Sequence, residues 1–116
     1  MPYASGPTFI FDYGGTTTGK RITTTHTPTL NYEKWVFRAG PMGLSMWLDG
    51  IKLSEYTGGA ASRSPSIGNF FLYGRLSTAN TTRPSDLYQL VIADREWSDA
   101  EIVSWSKDPY QFLIPA

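Results

Sequence analysis

The stretch that most restricts the fold is the closing run at residues 87–107, LYQLVIADREWSDAEIVSWSK, because three local signals coincide in it. Leu90 and Ile92 alternate with Val91 and Ala93, the period-two pattern of a strand over residues 87–94. Ser98 and Glu101 have the S-x-x-E spacing of a capping box. In that motif the hydroxyl accepts from the backbone N–H three residues on, and the carboxylate accepts from the N–H of the cap residue. Trp97 before the cap and Ile102 behind it are spaced as a hydrophobic staple. The helix must be short, because Pro109 drives Asp108 out of helical conformation and stops it near Lys107. The run predicts a strand, a tight corner, a short capped helix and an apolar tail.

Upstream, Gly, Pro, Thr and Ser are dense and evenly scattered, which reads as short strands joined by turns. Residues 8–13, TFIFDY, form a first strand with Phe9 and Phe11 on one face, and Gly14-Gly15 marks a turn. Residues 21–26 are β-branched and polar, as suits an edge or one-sided strand. Residues 32–38, YEKWVFR, form a third strand whose register is open, since Trp35 and Phe37 oppose Tyr32 and Val36 and both sets are apolar. In GLSMWLDGIKLSEY, Leu44, Met46 and Leu48 alternate with Ser45, Trp47 and Asp49, and Ile51, Leu53 and Glu55 begin a return strand. Asp49-Gly50 between them is a strong hairpin signal, because both central positions of a type I′ turn need positive φ. Residues 67–75, IGNFFLYGR, make a further strand. Together with residues 87–94 this gives about seven strands and one helix, all-β in class.

A chain of 116 residues is read as one domain spanning 1–116. The zero net charge leaves no electrostatic footprint for nucleic acid or an anionic membrane. No apolar run is long enough to span a bilayer, and MPYASGPTF lacks the basic and apolar regions of a signal peptide. The expected location is therefore the cytoplasm of the producing cell. Without cysteine there is no disulfide, thiolate metal site or cysteine nucleophile. His26 stands alone, is read as a surface strand residue, and offers no set of transition-metal ligands.

The second half resembles the laminin G and concanavalin A-like lectin family of jelly-roll sandwiches. MWLDGIKL is similar to the family's apolar-Tyr-Val-Asp-Gly hairpin, with Trp47 in place of the Tyr, and IGNFFLYGR to its later Gly-Arg strand. In the closing run the family positions fall on Leu87, Leu90, Ile92, Asp94, Arg95, Trp97, Ser98, Glu101 and Ile102, with Trp97 in place of a usual Leu. The ending DPYQFLIPA resembles that of many such domains in phage and prophage proteins. The resemblance implies an antiparallel jelly-roll-like β-sandwich, concanavalin A-like, with one short C-terminal helix. It covers residues 43–112, and the opening strands of the family are missing or compressed.

Several motifs invite a chemical reading. GGTTTGKR, residues 14–21, nearly spells a phosphate loop, but Arg21 stands where a Ser or Thr must hold Mg²⁺ and no helix is expected after it, so a turn and strand are favoured. Glu96, Asp99 and Glu101 are clustered acids. Laminarinase-type glycosidases of this fold carry Glu-x-Asp-x-x-Glu along one strand, where alternate spacing puts the acids on one face. Here the spacing is different and Glu101 belongs to the capping box, so structural roles are expected and the chain is read as not an enzyme. No cofactor is implied. A structural calcium stays open through the resemblance, although no D-x-D-x-D-G loop is present. Asn80-Thr81-Thr82 is a sequon read as a polar turn, and Trp35, Trp97 and Trp105 are read as packing residues.

Trp47 is different. With Leu44, Met46 and Leu48 toward the core, it faces the other way, where it contacts a partner or glycan or is covered by a second layer of the same chain. About seven strands fall short of the roughly eight of a jelly roll, which leaves apolar surface to be covered by another chain. Both chain ends are expected to be docked. The expected function is a non-catalytic structural or interaction protein, a phage virion surface component such as a capsid decoration, fibre or tail-associated module. It would form a homo-oligomer or join a virion assembly, with Trp47, Tyr110 and Phe112 at the contact. The alternative is a carbohydrate-binding, lectin-like module, and a glycoside hydrolase comes third.

Overall fold

The computed structural model describes residues 8–14, 17–27, 29–59 and 88–111. Five antiparallel strands in two sheets and one short helix make up these residues: β1 Thr8–Asp12, β2 Arg21–Thr25, β3 Trp35–Gly40, β4 Gly43–Leu48, β5 Ile51–Tyr56 and α1 Asp99–Lys107. β1 and β2 pair as a two-stranded sheet, and β3-β4-β5 form a three-stranded sheet with β4 in the centre. The architecture is mostly β and sandwich-like.

Pairing settles which side chains share a face. On β1 and β2, Phe9 lies opposite Thr24 and Phe11 opposite Ile22, so Phe9, Phe11 and Ile22 point one way. Asp12 and Arg21 pair across the other face, where they form a bidentate ion pair at 2.5 and 2.6 Å. In the larger sheet Trp35 pairs with Leu48, Phe37 with Met46 and Ala39 with Leu44. This is the register left open by the sequence: Trp35 and Phe37 join the Leu44–Met46 face, and Val36 and Arg38 join the Trp47 face. The core forms where Phe9 and Ile22 of one sheet meet Leu44 and Met46 of the other, with Phe11, Trp35, Ala39 and Tyr56 packed around them. Phe9 stacks on Trp35 at 4.5 Å between ring centroids, and Trp35 on Phe37 at 5.9 Å.

The β4–β5 connection is the hairpin expected from Asp49-Gly50, with φ of 50° and 83°. A β-bulge lies just beyond it. Met46 lies opposite Ser54 but Trp47 lies opposite Lys52, which leaves Leu53 as the extra residue. The consequence is chemical: Lys52 and Glu55, which simple alternation would place on opposite faces, both join the Trp47 face and meet at 2.8 Å.

The capping box is present. Ser98 Oγ accepts from Glu101 N at 3.2 Å, and Ser98 N donates to Glu101 Oε2 at 2.8 Å. The helix stops at Lys107, as Pro109 requires. Trp97 meets Trp105 edge to face at 6.2 Å, and Ile102 is fully buried.

Three expectations need correction. Residues 88–94 belong to no strand, and Leu90, Val91 and Ile92 are all exposed. Alternation makes a segment competent to pair, but a ladder needs a neighbouring strand, and none lies alongside among the described residues. The third strand begins at Trp35 rather than Tyr32. The preceding residues hold a loop instead, in which Lys34 exchanges hydrogen bonds with Asp49: Asp49 N donates to Lys34 O at 2.9 Å and Lys34 N to Asp49 Oδ1 at 3.1 Å. His26 lies past the end of β2 and is half-buried, its ring edge-on to Phe9 and Trp35, so it is not a surface strand residue. The expected strand at 67–75, the sequon and both chain ends lie outside the described residues.

Candidate functional site

Trp47 does not reach solvent. It is 4% exposed, its Nε1–H donates to Ser45 Oγ at 2.9 Å, and the cations of Arg38 and Lys52 lie 5.7 and 5.2 Å from its ring centre. The residues leading into α1 hold these two cations in place. Arg38 Nη1 donates to Trp97 O at 2.9 Å and to Asp99 Oδ1 at 2.7 Å, and Lys52 Nζ stands 3.4 Å from Asp99 Oδ2. Of the two placements open to Trp47, the structure shows the one covered by its own chain.

The same contacts account for the clustered acids. Glu96 approaches Arg38 at 3.6 Å, Asp99 bridges Arg38 and Lys52, and Glu101 pairs with Arg95 at 2.7 Å. The Arg38 hydrogen bond, then its charge and those of Lys52, hold the Asp99 carboxyl below its ordinary value against the opposing effect of burial. Glu101 is lowered from 4.5 to about 2, first by the hydrogen bond with Arg95 and then by the Ser98 N–H.

The exposed aromatic cluster lies elsewhere. Tyr32 and Tyr88 are each 67% exposed and Tyr110 is 44% exposed. Tyr88 stands between the other two, 5.6 Å from Tyr32 and 6.0 Å from Tyr110 between ring centroids. The rings come from three separate segments, and each has its own tether.

Tyr32 sits beside Glu33, whose carboxylate gathers the 26–35 loop. Its Oε1 is 2.8 Å from His26 Nε2 and accepts from Thr29 N and Oγ1 at 3.1 and 3.2 Å; its Oε2 accepts from Trp35 Nε1 at 3.0 Å. Burial works against ionisation of Glu33, but the hydrogen bonds from His26, Trp35 and Thr29 outweigh it and hold the carboxyl below its ordinary value. Tyr88 is held through its neighbour, because Gln89 Nε2 donates to Pro109 O at 3.0 Å and ties the 88–94 segment to the end of α1. Tyr110 comes just after the helix stop, where Asp108 Oδ1 accepts its backbone N–H at 3.1 Å and Gln111 Nε2 donates to Asp108 O at 2.8 Å. The Tyr110 phenol is raised above its ordinary value, first by its hydrogen bond with Tyr88, then by burial and by the nearby Asp108 carboxylate. It therefore stays neutral at physiological pH.

Such a surface offers ring faces and phenol hydroxyls to a partner, apolar bodies with polar tips. Of the sequence-predicted contact residues, the structure brings Tyr110 into it, buries Trp47 beneath its own chain, and leaves Phe112 outside the described residues. Tyr32 and Tyr88 escape sequence reasoning because both sit in segments that look like strands. Their meeting depends on contacts more than 50 residues apart in the chain. Among the described residues no group of three His, Asp or Glu side chains converges as a metal site, and no helix is long and apolar enough to cross a membrane. Comparison with known proteins finds no matching family model, no matching curated protein and no matching solved structure.

Proposed function

We propose that the chain is a non-catalytic structural or interaction protein that associates through the Tyr32–Tyr88–Tyr110 surface, either with copies of itself or within a larger assembly. The observation that carries this reading is the exposure of three contacting tyrosines held by separate tethers. Tyrosine is enriched where interfaces form, and an aromatic cluster open to water is costly without a use. Leu90, Val91 and Ile92, soon after Tyr88 in the chain, are also exposed. The finer reading, a jelly-roll sandwich on a virion surface as a decoration, fibre or tail-associated module, is supported by the resemblance of the closing run and tail.

Sedimentation at micromolar concentration tests the association. The expected result is an oligomer that falls to monomer in a Tyr32→Ala/Tyr110→Ala variant with unchanged circular dichroism. A wild-type chain that sediments as a monomer at every accessible concentration, and joins no virion particle, removes this reading and leaves the lectin-like alternative, which a glycan array then tests.

A further inference from the structure

Residues 88–94, YQLVIAD, have the alternation of a strand and none of its hydrogen bonds. No backbone N–H or C=O of this segment bonds to another described residue, and Tyr88, Leu90, Val91 and Ile92 are exposed. A row of open backbone groups is a template for pairing with another chain, and proteins that stay apart blunt it with charge, proline or a bulge. Residues 88–93 contain no charge, no proline and no glycine. The charges begin at Asp94 and Arg95, where the chain bends. The segment is also tethered at both ends. Gln89 Nε2 donates to Pro109 O at 3.0 Å, and Arg95 pairs with Glu101 at 2.7 Å.

Its sequence fits a second copy of itself. In an antiparallel pair, directly opposite residues share a face. A two-fold axis between identical strands then sets one residue opposite its own equivalent. Registers centred on Leu90, Val91 and Ile92 pair the most residues. Centred on Leu90, Asp94 falls opposite position 86 of the other copy, also an aspartate in the sequence, and like charges directly opposite are destabilising. Centred on Ile92, Asp94 falls opposite Leu90, where pairing sets a carboxylate against hydrocarbon. Centred on Val91, Leu90 meets Ile92, Gln89 meets Ala93, and Asp94 meets Tyr88, whose phenol can donate to the carboxylate. Tyr88 is also the middle ring of the exposed tyrosine surface, so pairing in this register is continuous with that surface.

We propose that residues 88–94 form an antiparallel ladder with the same residues of a second copy, about a two-fold axis at Val91. This pairing rests on the association proposed above and gives it a partner, another molecule of this chain. Backbone hydrogen bonds hold the two copies together, and the apolar and Tyr88–Asp94 pairs select the register.

The chain has no cysteine, so single cysteines report the register directly. Opposite Cα atoms in a ladder stand about 4.5–5.5 Å apart, within the span of a disulfide, whereas diagonal neighbours are about 7–8 Å apart. Full chains carrying Val91→Cys, Leu90→Cys or Ile92→Cys are oxidised mildly and sized without reductant, beside sedimentation of the wild type. All three side chains are exposed, so the substitutions leave the core intact. Val91→Cys should cross-link into a dimer, and so should Leu90→Cys mixed with Ile92→Cys. Leu90→Cys alone and Ile92→Cys alone should stay largely unlinked. A wild-type oligomer in which Val91→Cys links no better than Leu90→Cys alone would overturn the ladder and leave the tyrosine surface standing. Linkage strongest in Leu90→Cys alone or Ile92→Cys alone would overturn the axis at Val91. A wild-type species that grows without limit as concentration rises also sinks the pairing, since a two-fold contact closes on itself. A wild-type chain that is a monomer at every concentration removes both this pairing and the association beneath it.

Discussion

Leu44 and Met46 leave β4 on one side, Ser45 and Trp47 on the other, and the two sides are closed by different materials. On the first, β1 and β2 bring hydrocarbon and rings: Phe9, Phe11 and Ile22 against Leu44, Met46, Trp35 and Phe37. On the second, the residues around α1 bring charge. Arg38 and Lys52 flank Trp47, and Glu96, Asp99 and the Trp97 carbonyl neutralise or bond them. The first face excludes water from surface with nothing to offer it. The second fastens a distant segment at defined points, since Arg38 and Asp99 are 61 residues apart. Non-directional packing tolerates small shifts along the sheet, whereas an arginine fork fixes where the corner before α1 must sit.

The largest effect should come from the apolar face. Met46 is fully buried, and Met46→Ala should cost about 3 kcal/mol, with a slope of stability against pH like that of the wild type. Denaturant melts check both, and a changed pH slope would show that the faces are coupled rather than separate.

Arg38→Met keeps the stem over Trp47 and removes the fork, which strands Glu96 beside an apolar side chain and leaves Asp99 with Lys52. A loss of about 2 kcal/mol is expected, smaller at low pH as Asp99 loses its charge. If the variant were as stable as the wild type at neutral pH, the clamp would be ornamental and Trp47 burial alone would hold the corner. Ser98→Ala should cost about 1 kcal/mol through the lost cap, read in the same melts.

The pH response sharpens the contrast further. Glu33, Asp99 and Glu101 all have folded values below their ordinary ones. Each therefore contributes stability that is full above the ordinary carboxylate value and lost as pH falls through the lowered one. For Glu101 that window runs from 4.5 down to about 2. The denaturation midpoint should fall across it, and less steeply in Glu101→Gln, measured by melts at stepped pH.

The smallest effect on stability belongs to the exposed surface. Tyr110→Ala should leave the denaturation midpoint nearly unchanged, because its ring is open to solvent, while weakening association in sedimentation. A large loss of stability would make Tyr110 a packing residue and weaken the case for a contact surface.

What the sequence determined by itself is local. The cap at Ser98 and Glu101, the helix stop before Pro109, the Asp49-Gly50 turn and the alternation of β4 all arise from interactions spanning a few residues, and the structure has each of them. The tertiary structure decided everything that depends on a partner far along the chain. The register of β3 had two apolar candidates, and only the pairing with β4 chose between them. The bulge in β5 put Lys52 and Glu55 on one face and with it built the Lys52–Glu55 pair. Trp47 faces away from the core, as the alternation predicts, but the Arg38 and Lys52 cations over its ring are held by residues 97–99. Alternation in residues 88–94 predicts a strand that the described residues do not pair, since a ladder belongs to two segments and one sequence window shows only one of them. The tyrosine surface is the extreme case: three residues ordinary in their own windows become a site only when the loop before β3, the 88–94 segment and the end of α1 converge.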